Sequence, residues 1–123
     1  MGSARDRETV AEFARSNSWD LTVVGTFNEG LSFSANRNAA VVILDRDLPG
    51  KDWRSAVRSF AQSRATPCII LASSVMDDYL FEEIVKQGGF DTIAKPIRTD
   101  ELRRIGGLAI KYWKSRVARN ANG

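Results

Sequence analysis

The stretch Ala39-Ala-Val-Val-Ile-Leu-Asp-Arg-Asp-Leu-Pro-Gly50 decides the fold. Its first six residues are apolar without interruption, the mark of a strand covered on both faces, as strands of parallel sheets are. The run stops on Asp45, places Asp47 two residues on, and turns away at Pro49-Gly50. Downstream, Trp53, Val57 and Phe60 form a helical stripe, and Pro67 to Ala72 is a second buried strand. The alternation then repeats. Asp77 to Gln87 reads as a helix with Leu80, Phe81, Ile84 and Val85 inward and Gly88-Gly89 as its C-terminal stop. Asp91 to Ala94 is a strand ending at Lys95-Pro96, and Thr99-Asp-Glu-Leu102 opens a last helix reaching about Ala118. Upstream, a Ser3-x-x-Asp6 cap and the spacing of Val10, Phe13 and Ala14 predict a helix from Ala4 to Arg15. Leu21 to Gly25 is short and β-branched, hence a strand, and Gly30 to Asn36 is helical by context despite few helix formers. Strand and helix in alternation predict an open parallel α/β sheet with right-handed crossovers and helices on both faces.

Composition is consistent with one domain over residues 4–118 and a disordered tail over 119–123. The chain has 123 residues, no His and one Cys, so zinc centres, Ser-His-Asp triads and Cys-His dyads are excluded within one chain. No apolar run approaches the roughly 20 residues of a membrane span, and no signal peptide is visible, which makes the cytoplasm the expected location. The net charge of +3 is unevenly placed. From Arg98 onward seven basic residues face two acidic ones, a net +5, whereas Met1 to Ile97 carries eleven against thirteen, a net −2. A solvated helix face explains that basic end more simply than nucleic-acid binding does.

In open parallel sheets chemistry gathers at the carboxyl ends of the strands. Asp45, Ser73-Ser74 and Lys95 each stand directly after a predicted strand. A carboxylate nucleophile, a hydroxyl and an ammonium are the groups an acyl-phosphate site requires. Ile43-Leu-Asp45-Arg-Asp-Leu-Pro-Gly50, Pro67-Cys-Ile-Ile-Leu71 and Gly88-Gly-Phe-Asp-Thr-Ile-Ala-Lys-Pro96 together resemble a response-regulator receiver domain, over about Asp6 to Arg116. The resemblance implies a flavodoxin-like (CheY-like) fold and a place in bacterial two-component phosphorelay signalling. By position Asp45 resembles the phosphorylated aspartate and Lys95 the lysine that contacts the phosphoryl group. It further implies Mg2+, held here at most by Asp45 and Asp47, and a sensor histidine kinase as phosphodonor. A downstream protein would dock on the face of the fourth helix, fifth strand and fifth helix. Any catalysis would be limited to self-catalysed phosphotransfer and autodephosphorylation.

The departures from the family pattern are specific. The Thr or Ser that ends the Pro-initiated strand falls on Ala72 when counted from Pro67, and on Ser73 when counted back from Lys95. Ala72 is the expected structural equivalent and Ser73 the candidate substitute hydroxyl. The aromatic switch position, three residues before the lysine, is Thr92. The first strand and its Mg2+-binding acidic pair have no counterpart, since the pair would fall near Met1-Gly2 and only five residues precede Asp6. An absent internal strand leaves unpaired backbone groups at about 1–3 kcal/mol each. Leu21 to Gly25 could slide against Val41 to Leu44, a second chain could supply a segment, or the first elements could reorder. A homodimer in which the first elements exchange or the open edge pairs is the expectation. Two functions remain open: a phosphoacceptor on Asp45, or a pseudo-receiver acting only through protein contacts. Nucleic-acid binding by the last helix is a distant third.

Overall fold

The computed structural model describes residues 4–48 and 50–122, with side chains through Ala118; Met1-Gly2-Ser3, Pro49 and Gly123, and with them the Ser3 cap and half of the Pro49-Gly50 turn, lie outside the described residues. In chain order the elements are α1 (Ala4–Ser16), α2 (Phe27–Arg37), β1 (Val41–Asp45), α3 (Trp53–Ala61), β2 (Cys68–Ser73), α4 (Asp78–Lys86), β3 (Asp91–Ala94) and α5 (Thr99–Asn122). The three strands form a parallel sheet in the order β1-β2-β3. Val41 stands opposite Cys68 and Asp45 opposite Ala72, while Ser73 stands opposite Ala94.

Alternation along the strands builds two cores. Cys68, Ile70, Ala72 and Ile93 pack with α1 and α5 through Val10, Phe13, Leu102 and Ile105. Ile69, Leu71 and Leu44 pack on the other face with Trp53, Val57, Phe60, Leu80 and Ile84. Central β2 is buried throughout, whereas Val41, Val42 and Ile43 of β1 are half-buried. Both faces of β1 are covered, as expected, and its first three residues are only half-buried because its unpaired edge borders a cavity.

The expected strand Leu21 to Gly25 is not a strand. Leu21–Val24 have no regular structure and join no ladder, and Gly25-Thr26 bend into α2. A strand needs a neighbour's backbone, and this segment and β1 instead line a common slot of about 690 Å³. Helix α2 begins earlier than the expected Gly30, because Thr26-Phe-Asn-Glu29 is a capping box. The Thr26 hydroxyl accepts from the Glu29 N–H and donates to its carboxylate, each at 3.2 Å. Asn38, left-handed at φ 56°, closes the helix. Phe81 and Val85, expected inward, are exposed; Leu80 and Ile84 alone bury the α4 stripe. At the other end, α5 continues helically to Asn122, past Ala118 and through most of the segment expected to be disordered. Ala118, Arg119 and Ala121 are strong helix formers, which accounts for the extension.

Candidate functional site

Asp45 and Lys95, expected at strand ends, meet Asp47 at one rim. Asp45 is the last residue of β1 and only 4% exposed. Lys95 follows β3 directly, held by its own N–H donating to the Ser73 carbonyl at 2.9 Å. Its Nζ donates to Asp45 Oδ1 at 3.0 Å and to Asp47 Oδ2 at 3.2 Å. The Asp47 N–H donates to Asp45 Oδ1 at 2.8 Å, so the turn after β1 fixes the first carboxylate by its own backbone. Burial pulls the Lys95 ammonium down, but hydrogen bonds and charge from Asp45 and Asp47 outweigh it and hold its pKa above the usual lysine value.

The hydroxyl candidate is placed differently. Ala72, the cross-strand partner of Asp45, has no hydroxyl to offer. Ser73 is buried and donates its proton to the Val75 carbonyl at 2.9 Å, while accepting from the Val75 N–H and from Arg46 Nη1. Its one donor is committed to its own loop. Thr92 is buried on β3 and has no ring to rotate.

Two residues near the rim were not singled out as site residues. Arg46, between the two aspartates, reaches across to the Ser73 hydroxyl at 3.4 Å. Asp6, expected only as part of the cap of the first helix, is 3% exposed and accepts the Ile97 N–H at 2.8 Å. It therefore ties α1 to the segment just after Lys95. A buried carboxylate in an otherwise amphipathic first turn was the available signal.

Among the described residues no group of three or more His, Cys, Asp or Glu side chains is arranged to hold a metal ion. Asp45 and the exposed Asp47 supply two adjacent carboxylates, which fits the one or two by which Mg2+ is usually held when water and phosphate oxygens complete its shell. Several basic residues at and along α5 have local partners within the chain. Arg98 pairs with Asp100, Arg104 with Glu101, Arg103 lies over Phe13, and Arg116 donates to the Thr66 carbonyl.

No family model matches the sequence, and no curated protein matches it. Solved structures do. The signal receiver domain of a modulated diguanylate cyclase from Desulfovibrio desulfuricans is 22% identical, with a TM-score of 0.73 over 89% of this chain and 87% of that one. Chemotaxis protein CheY4 of Vibrio cholerae is 15% identical, with a TM-score of 0.78 over 87% and 91%. The chain has the fold of a response-regulator receiver domain. NtrX of Brucella abortus matches 98% of this chain at a TM-score of 0.83 and 17% identity, the match spanning 28% of NtrX. The receiver fold places β1, β2 and β3 in a CheY-like α/β layer, and no helix among the described residues is long and apolar enough to cross a membrane.

Proposed function

We propose that the chain is a receiver module of two-component signalling in which Asp45 accepts a phosphoryl group from a phosphohistidine. One observation carries the reading: the Lys95 ammonium sits 3.0 Å from the Asp45 carboxylate at the carboxyl rim of a parallel sheet. The Asp45 oxygen not bound by the Asp47 N–H attacks phosphorus, and the P–N bond breaks. The imidazole leaves with the electron pair and takes a proton from solvent, and an acyl phosphate remains. Lys95 moves from carboxylate to phosphoryl oxygen, neutralising charge as it develops. Mg2+, when bound by Asp45 and Asp47, supplies further neutralisation of the phosphoryl oxygens.

Recognition of a kinase and of an output protein falls to the face of α4, β3 and α5. Tyr79, Val85, Leu108 and Tyr112 are exposed there, with Tyr112 against Phe90 at 5.7 Å. The test is incubation with Mg2+ and acetyl phosphate, followed by intact mass. One added phosphate, absent in Asp45→Asn and reduced at least tenfold in Lys95→Met, supports the reading; no uptake at millimolar Mg2+ overturns it. The Ser73 proton held by Val75, together with Thr92 in place of a ring, favours the second reading, a pseudo-receiver working by contacts alone. That reading predicts the same partner affinity for wild type and Asp45→Asn.

A further inference from the structure

Two long cationic side chains meet over the carboxyl end of β2. Lys95 starts on the β3 side, tied by its N–H to the Ser73 carbonyl at 2.9 Å, and its side chain crosses to Asp45 at the end of β1. Arg46 starts on the β1 side, tied by its N–H to the Ala72 carbonyl at 2.9 Å, and its side chain crosses the other way, with Nη1 3.4 Å from the Ser73 hydroxyl oxygen. Both residues are half-buried. Their bonding differs. The Lys95 ammonium holds two carboxylates, whereas the Arg46 guanidinium makes one long contact with a neutral oxygen that already accepts the Val75 N–H at 3.1 Å. Among the described residues Arg46 forms no ion pair. A guanidinium carries its N–H donors in a planar fork suited to phosphate oxygens, and the Ser73 contact engages only one of them.

An acyl phosphate on Asp45 creates the demand that this cation answers. Phosphorylation replaces the single negative charge of the carboxylate by about two. Asp47 adds another, Lys95 alone offsets one, and Arg46 halves what is left. Neutral donors are short as well, since Ala72 has no hydroxyl and the Ser73 proton goes to the Val75 carbonyl at 2.9 Å. The geometry points to Arg46 as the second cationic donor to the phosphoryl group: its guanidinium leaves the Ser73 hydroxyl and binds a phosphoryl oxygen other than the one Lys95 meets. The inference rests on the phosphoacceptor reading of Asp45 and adds a residue to that site. No bond to Arg46 forms or breaks, and it keeps its protons throughout. It acts on the charge spread over the phosphoryl oxygens while the new O–P bond to Asp45 forms and the leaving group departs with its electron pair. The Ser73–Val75 pair stays as it is, so the loop after β2 takes no part.

The test follows intact mass over time for the whole chain with Mg2+ and acetyl phosphate, from which Asp45 takes the phosphoryl group and acetate leaves. Arg46→Ala should take up phosphate at least tenfold more slowly than wild type. Arg46→Lys, which keeps the charge and loses the fork, should fall between the two. Beryllofluoride, a phosphoryl mimic that needs no transfer, gives a second measurement: the guanidinium N–H signals of Arg46 in wild type should move downfield when it binds, a change that a purely structural tie to Ser73 does not produce. Equal uptake by wild type and Arg46→Ala, or guanidinium signals that stay in place when beryllofluoride binds, overturns the role of Arg46 and leaves the reading of Asp45 standing. A tenfold loss in Ser73→Ala with Arg46→Ala unchanged also overturns it, in favour of the hydroxyl. Wild type that neither takes up phosphate nor binds beryllofluoride overturns both.

Discussion

Lys95 binds two carboxylates of very different exposure: the Asp45 side chain is 3% exposed and that of Asp47 is 73%. Removing the cation leaves the buried carboxylate without its ammonium, a loss of about 3–5 kcal/mol for a fully buried pair. Here water reaches Lys95 and Asp47, so Lys95→Met is expected to cost about 1–3 kcal/mol in urea denaturation. Adding Asp45→Asn should restore part of that loss, because the uncompensated charge disappears. Cys68 gives a pH test. Burial raises its thiol pKa, and Arg116 opposes the shift only in part. A folded-state value above the unfolded one means that stability is complete below about 8.5 and is lost as pH rises toward the folded value. Melting temperature should therefore fall more steeply above pH 8.5 in wild type than in Cys68→Ala. Equal slopes would show that the thiol is not the titrating group. Asp45 and Lys95 were legible in the sequence because each stands at the end of a strand, and Asp47 because it lies two residues beyond Asp45 in the same turn, so periodicity brings them to one rim. Asp6 and Arg46 were not, since their partners, Ile97 and Ser73, lie far off in sequence and only the folded chain joins them.

At the scale of elements, the helices are fixed by what each face meets. Gly106 and Gly107 are neighbours on α5 with opposite surroundings. A Cβ on Gly106 would stand 2.6 Å from the Trp19 ring, which is itself held edge-on by Phe13 at 4.9 Å, whereas a Cβ on Gly107 meets open space. Gly107→Ala is expected to stabilise the protein by about 1 kcal/mol through helix propensity. Gly106→Ala gains the same propensity but forces Trp19 away, and should destabilise by about 1–3 kcal/mol in the same melts. Asp6 joins α1 to the start of α5. Asp6→Ala orphans the Ile97 N–H and should cost about 1–3 kcal/mol, with Asp6→Asn keeping most of the stability because an acceptor remains. The strand expected at Leu21 to Gly25 shows where local reading fails. Its composition is right for a strand, yet strand formation is a property of a pair, and its position beside the slot gives it no partner. Thr26 shows the converse: the capping box was present in the sequence and placed the α2 start three residues before the expected one.

Across the whole molecule the two halves are unequally supported. β2 is buried along its entire length between two cores, and β1 and β3 pair with it on either side. Helix α2 leans on this body through few groups: Phe27 meets Phe60 edge-on at 5.5 Å, Lys51 lies over Phe27 at 4.8 Å, and Ser34 is its one fully buried residue. Leu31 also packs on that core, while Phe33, Ser34 and Arg37 line the slot. Regions with little buried apolar contact open below the global unfolding free energy, and those at the centre of the core open only with it. Native-state hydrogen exchange at rising, sub-denaturing urea should therefore show two classes. Amides of α2 should exchange through an opening at least about 2 kcal/mol cheaper than global unfolding, with a small dependence on urea. Those of Ile69 to Leu71 should follow the global unfolding line. Convergence of both sets on a single line at every urea concentration would mean that the slot is braced as firmly as the core. Separate lines make α2 and Leu21–Val24 the movable side of the slot, with β1 as its fixed side.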